Sequence, residues 1–363
     1  MFKIEEIDRN FQVKSGIEED IVFYDAALEP FQIYGLIKPA DQKDRYRRMP
    51  EETARRVSEG VYLLHTDTAG GRVRFRTDSS CIAIYAEMGR ISRMVHFAMT
   101  GSAGFDLYVR EQEREKYIKT FLPPQDMTEG YASLLECGGG GMREYTVNFP
   151  LYSNVNRLYI GLKRGAAICP AEPYAYGAPV VFYGSSITQG GCASRPGNSY
   201  ESMISRRFHC DYINLGFSGS AKGEDAMAEY IASLKMKIFV YDYDHNASWE
   251  ELKATHGRMF SIIRRAQPDL PVIMVSRPAV YLSEEERARR DLIRSNCMQA
   301  RNHGDRRVCF VDGNRVMEPL VGDSGTVDGC HPNDLGFFCM AKAIGDAIGE
   351  ILKEGQGEIP IEI

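Results

Sequence analysis

The chain has 363 residues, 44% hydrophobic and 26% charged, which supports a packed core and excludes wholesale disorder. Lys and Arg number 44 against 50 Asp and Glu, a net charge of -6, so no basic stripe points to nucleic acid or an anionic membrane surface. The length predicts about two domains at roughly 150 residues each.

The opening, MFKIEEIDRN, has no basic start followed by an apolar core, so no signal peptide and a cytoplasmic setting are expected. The uncharged stretch at 173–194 holds two prolines and several glycines, which excludes a membrane helix there. Nine cysteines are scattered without CxxC spacing, a pattern that fits reduced thiols better than a disulfide framework.

From about residue 10 to 165 the chain reads as strands. Residues 61–66, 72–76, 81–86, 105–110 and 157–161 are apolar or alternating runs separated by turn residues, among them Gly70-Gly71. One helical stretch, 51–58, interrupts them. These runs predict an antiparallel, jelly-roll-like β-sandwich. The glycine run at 138–141 lacks a following Gly-Lys-Ser/Thr, so it reads as a flexible turn and not a phosphate loop. Residues 169–179 carry three prolines and are predicted to form a stiff extended connector.

Beyond it the rhythm changes. Apolar runs at 180–183, 211–215, 238–241, 272–275 and 308–311 alternate with helical stretches at 200–208, 224–234, 249–265, 284–302 and 335–352. That pattern predicts a flavodoxin-like doubly wound α/β domain with a five-stranded parallel sheet. The expected organisation is a β-domain over 1–168, a linker over 169–179 and an α/β domain over 180–363.

The polar clusters of the second half sit just beyond its strands, where such sheets carry their sites. They are Gly184-Ser-Ser-Ile-Thr-Gln-Gly190, Asn214-Leu-Gly-Phe-Ser-Gly219, Asp242-Tyr-Asp-His-Asn246 and Asp328-Gly-Cys-His-Pro-Asn-Asp334. Acyl transfer needs an activated nucleophile, a base, a group orienting the base, and oxyanion donors. Of the seven histidines, only His245 and His331 fall on these loops. His331 follows a carboxylate, Asp328, by three residues and precedes a proline, so Asp328 can fix its tautomer. Ser186, where a buried strand breaks into a glycine-bounded loop, is the nucleophile candidate. Its alternative role is a helix cap. Gly219 can offer a backbone N–H and Asn246 a side-chain amide, with a turn residue and a capping residue as the alternatives. Thr188 stands where a lipase elbow has its second glycine, so the common α/β-hydrolase arrangement is not expected. His245, with no Cys or Glu at ligand spacing, makes a poor metal site.

These four clusters resemble the blocks of the SGNH branch of the GDSL esterase/lipase family. The resemblance covers 178–352 and implies Ser186 as nucleophile and an oxyanion hole of Ser186, Gly219 and Asn246. It also implies His331 as base and Asp328 as its partner. Two departures stand out: Ser185 replaces the aspartate before the nucleophile, and the third block reads Asp244-His-Asn-Ala247 in place of Gly-x-Asn-Asp. Gly104-Phe-Asp-Leu-Tyr108 resembles the GxDLY signature of a β-domain that precedes this hydrolase type, with Asp106 and Tyr108 read as structural.

The resemblance implies a serine esterase acting on short acyl esters, acetyl on carbohydrate first, with no metal or organic cofactor. Arg195, Tyr243, Trp249 and Arg277 are the candidate substrate contacts, against salt-bridged arginines and core aromatics. Two alternatives stand: an acyltransferase using the same acyl-enzyme, and a non-catalytic saccharide-binding protein on a hydrolase fold. The expected partners are a small-molecule or oligosaccharide ester, no nucleic acid, no membrane, and by base rate a second copy of the chain.

Overall fold

The computed structural model describes residues 20–41, 43–317, 322–354, 357 and 359–362. Its first half is two antiparallel sheets. The strands are β1 (Ile21–Asp25), β2 (Gln32–Tyr34), β3 (Arg72–Thr77), β4 (Cys81–Met88), β5 (Phe105–Glu111), β6 (Arg114–Phe121), β7 (Gly130–Glu136), β8 (Arg143–Asn148), β9 (Val155–Lys163) and β10 (Ile168–Cys169). One sheet runs β1-β9-β4-β7, the other β10-β3-β8-β5-β6 with β2 also on β3. Alternate residues of both sheets meet in one core, with Val73, Phe75, Phe105 and Leu107 facing Ile82, Ile84, Leu158 and Ile160, as a two-sheet sandwich requires.

The second half has five parallel strands: β11 (Val180–Gly184), β12 (Tyr212–Gly216), β13 (Ile238–Asp242), β14 (Val272–Val275) and β15 (Val308–Val311). Their order, β12-β11-β13-β14-β15, is the flavodoxin-like one. Both faces are covered, which is why these strands read as continuous apolar runs. Phe182, Val240, Ile273 and Val311 face the helices Tyr200–Phe208 and Asp334–Glu354. Tyr183, Tyr241, Met274 and Phe310 face Asp225–Ser233, Trp249–Ala266 and Glu284–Asn302. The last two helices open on capping boxes, Ser248 with Glu251 and Ser283 with Glu286.

One expected strand is a helix. Residues 61–66 fall mostly in Glu59–Leu64, capped by Ser58, whose Oγ accepts from the Val61 N–H at 3.2 Å. The apolar run buries Val61 beside Leu215 and Phe217 of the α/β half. The segment thus packs across the two halves, and tertiary contact with a local cap outweighs strand propensity.

The proline-rich connector is fastened along its length. β10 pairs with β3. The Arg76 guanidinium donates to the Pro170 carbonyl at 2.9 Å and pairs with Glu172 at 2.6 Å. Tyr174 is buried with its hydroxyl accepting from Arg72 Nε at 3.1 Å. No helix among the described residues is long and apolar enough to cross a membrane.

Candidate active site

At the carboxyl end of β11 the chain turns sharply. A side chain at Gly184 would meet Thr188 Oγ1 at 2.1 Å and the Asp242 carbonyl at 2.2 Å, so only glycine fits. Ser185 then caps the one-turn helix Ser186–Gln189, its Oγ accepting from the Ile187 N–H at 3.2 Å. The hydroxyl thus does the capping work that an aspartate would do at this position. Gly190 closes the turn at φ 95°. Ser186 sits first in that turn, where its N–H has no intrahelical acceptor.

Ser186 Oγ lies 2.9 Å from His331 Nε2, and His331 Nδ1 lies 2.7 Å from Asp328 Oδ2. Asp328 Oδ1 also accepts the N–H groups of His331 at 2.7 Å and Cys330 at 2.9 Å. Burial works to raise the Asp328 pKa, but the His331 ring and those two N–H groups outweigh it and hold the carboxyl at about 2, below its usual 3.8. The pair is therefore a carboxylate fixing the imidazole tautomer, with Nε2 aimed at the hydroxyl.

The second and third loops meet beside it. Gly219 is exposed at φ 67°, with no atom within 4 Å of where a side chain would stand. Asn246 Oδ1 accepts from the Ala221 N–H at 3.3 Å, which leaves its Nδ2 as the free donor end. Asn214 Nδ2 donates to the Thr188 carbonyl at 2.6 Å, and the Ser218 N–H to Gln189 Oε1 at 2.9 Å. These bonds tie the β12 loop to the Ser186 turn.

The other candidate residues lie in distinct settings. Tyr243, expected on the pocket wall, is 1% exposed. Its hydroxyl meets Thr255 Oγ1 at 2.9 Å and its ring packs on Tyr183 and His256. The pleat turns it into the helix layer, away from the loop surface. Arg195, expected to reach substrate, is bonded to Tyr108 and Asp106 and lies 3.9 Å from the Tyr117 ring centroid. Arg277 pairs with Glu286, donates to the Gly329 carbonyl at 3.4 Å, and gives its backbone N–H to Asp244 Oδ2 at 3.2 Å. Trp249 is half-buried at the start of its helix, with Lys253 Nζ 5.1 Å from its ring centroid.

The sequence reading missed what the β-domain contributes. Tyr152 donates its hydroxyl to the Ser186 carbonyl at 3.0 Å. Gln189 Nε2 donates to the fully buried Asp67 at 3.0 Å and to the Leu151 carbonyl at 3.3 Å. The exposed His96 ring stands 5.9 Å from that of His331. None of the β-domain residues here, His96, Asp67, Leu151 or Tyr152, lies in a recognisable motif. Only the long-range packing of the two halves brings them to the site.

Residues 177–349 match the GDSL-like lipase/acylhydrolase family, and residues 21–168 match the N-terminus of SGNH-hydrolase-type esterases, the GxDLY domain. Among curated proteins no sequence matches the chain. Among solved structures, a Bacteroides ovatus protein assigned as a GDSL-like lipase is 27% identical over 94% of this chain and 100% of its own, with a TM-score of 0.81. A salicylyl-acyltransferase from a tetracycline biosynthetic pathway shares the fold at 19% identity, covering 92% and 99%, with a TM-score of 0.75. A family two carbohydrate esterase from Clostridium thermocellum, solved with cellohexaose, does so at 14% identity, covering 90% and 100%, with a TM-score of 0.60. On these matches, joined to the loop geometry above, the chain belongs to the GDSL-like lipase/acylhydrolase family and carries the GxDLY N-terminal domain of SGNH-type esterases.

Proposed function

We propose that the protein is a serine esterase that removes short acyl groups, acetyl first, from carbohydrate. The observation that carries this reading is the unbroken relay from Ser186 Oγ through His331 to Asp328, at 2.9 and 2.7 Å. As Ser186 Oγ attacks the ester carbonyl, His331 Nε2 takes its proton and Asp328 steadies the imidazolium. The tetrahedral oxyanion receives the N–H groups of Ser186 and Gly219 and the Asn246 amide. Collapse breaks the C–O bond, and His331 returns the proton to the leaving alcohol. Water then attacks the acyl-enzyme with His331 again as base, releasing the acid and restoring Ser186.

The sugar part of the reading rests on two supports. A structure of the same fold, the Clostridium thermocellum carbohydrate esterase, was solved with cellohexaose. The half-buried Trp249 beside the third loop offers an aromatic face of the kind sugars stack on. None of the nine cysteines is in a disulfide, which supports the proposal of a reducing, cytoplasmic setting.

The test is turnover of p-nitrophenyl acetate and longer acyl esters by the wild type and by Ser186→Ala, then of acetylated oligosaccharides with and without an added acceptor alcohol. Acetate turnover that vanishes in the variant supports the reading. Acyl transfer to the acceptor in preference to water replaces hydrolysis with acyl transfer. Equal rates in wild type and variant overturn the Ser186 mechanism.

A further inference from the structure

Below the Asn246 loop, three side chains turn inward and leave buried polar atoms without a hydrogen bond. Asp242 and Asp244 are 1% and 3% exposed. Neither Asp242 oxygen has a hydrogen-bond partner, nor does Asp244 Oδ1 or His245 Nε2. One donor atom from each residue lies within 4.8 Å of the others. A buried polar atom without a partner costs about 1–3 kcal/mol, and more when charged. Four such atoms in one place therefore call for something that binds them all.

The surroundings define what that is. Asp244 Oδ2 is already taken by the Arg277 N–H. His245 Nδ1 faces Cys330 Sγ at 3.8 Å, which aims Nε2 at the carboxylates, as a ligand's outer contact does. The Arg277 guanidinium is held by Glu286 and that of Arg289 by Glu285 at 2.7 Å. Glu286 and Glu285 thus engage the two arginines, which only partly offset the charge of Asp242 and Asp244. A cleft of about 300 Å³ lined by Asp244, His245, Arg277, Glu286 and Arg289 leads in from solvent.

We propose that Asp242, Asp244 and His245 bind one divalent first-row cation, zinc or manganese. Two carboxylates and one neutral imidazole are a donor set these ions take. Such an ion ties down the loop that carries Asn246. Through Cys330 it also braces the residue next to His331. It is a structural ion, outside the relay, and its binding does not depend on the ester chemistry.

The experiment uses the full chain, purified without a histidine tag, stripped with a chelator and titrated calorimetrically with Zn²⁺, Mn²⁺ and Co²⁺. The expected result is about one equivalent bound to the wild type, with a melting temperature that rises on loading. Asp242→Asn and His245→Gln should weaken binding at least about tenfold. His245→Gln carries the test if Asp242→Asn fails to fold. Absence of binding for all three ions, with Asp242→Asn melting at or above the wild type, overturns the proposal and assigns the cluster a shared proton. Equal binding by wild type and both variants overturns it as well, because the ion then sits elsewhere. Neither readout uses turnover, so loss of this proposal and loss of the esterase reading are separable.

Discussion

Replacing Asp328 by Asn tests the relay at its outer end while sparing the loop. Oδ1 holds the N–H groups of Cys330 and His331 at 2.9 and 2.7 Å, and an amide keeps an oxygen for both. Its NH2 then stands where Oδ2 accepted from His331 Nδ1 at 2.7 Å. That group can only donate, so it favours the tautomer with the proton on Nε2, the atom that must accept from Ser186. Two losses follow. The charge-assisted bond to the imidazolium is worth about 1.5–3 kcal/mol, roughly 10- to 150-fold in rate. The inverted tautomer adds to it, and the same change in chymotrypsin-type triads lowers kcat by about 10⁴. Asp328 is 36% exposed at its side chain, so solvent screens part of the effect. The expected fall in kcat on p-nitrophenyl acetate is roughly 10²- to 10⁴-fold with little change in KM. A kcat within about 3-fold of wild type would refute the relay. Acid titration supplies a second readout. The folded Asp328 pKa, about 2, lies below the ordinary 3.8. Its contribution to stability is therefore present above 3.8 and lost as pH falls through 2. The melting temperatures of wild type and variant should converge over that window, and a constant gap would contradict the assignment.

Three further predictions follow from contacts around the turn. Asn246→Ala removes one oxyanion donor and should lower kcat by about 10²–10³, with KM steady. An effect on KM alone would assign Asn246 to ground-state binding. Tyr152→Phe deletes the bond to the Ser186 carbonyl and should cost about 1 kcal/mol in denaturant unfolding, together with a smaller loss of kcat. An unchanged denaturation midpoint would mean that bond carries no weight. Arg195→Ala should destabilise by about 1–3 kcal/mol, because it strips a partner from the fully buried Asp106. If the melting temperature holds and KM for a sugar ester rises, Arg195 is a substrate contact after all.

How much of this was legible depended on where the signal was stored. The parallel strands are buried on both faces, so each reads as an apolar run, and Ser248 and Ser283 mark their helices within a few residues. Ser186, Asp328 and His331 were legible because each sits on a loop beyond a strand, where the fold gathers its chemistry. Side-chain direction was not legible. Tyr243 follows a strand end as plausibly as any pocket residue, yet the pleat sends it into the core. The helix at Glu59–Leu64 was lost because an apolar run of that length suits either element, and its partners Leu215 and Phe217 lie far along the chain.

The GxDLY signature shows why the β-domain belongs to the site and is more than a passenger. A side chain at Gly104 would meet the Thr100 carbonyl at 2.5 Å, so the tight approach there needs glycine. Asp106, fully buried, accepts from Asn148 Nδ2 at 2.7 Å, from the Gly197 N–H at 2.8 Å and from Arg195. Tyr108 lies so close over Gly197 that a side chain there would stand 2.3 Å from its hydroxyl. The motif therefore grips the segment that follows the Ser186 turn, while Tyr152 and Asp67 grip the turn itself. A serine held from its own domain only by a four-residue helix would have little to fix its position. Here its carbonyl, the side chain three residues on and the loop beyond are each bonded to the β-domain, and the 2.9 Å approach to His331 is set by both halves together.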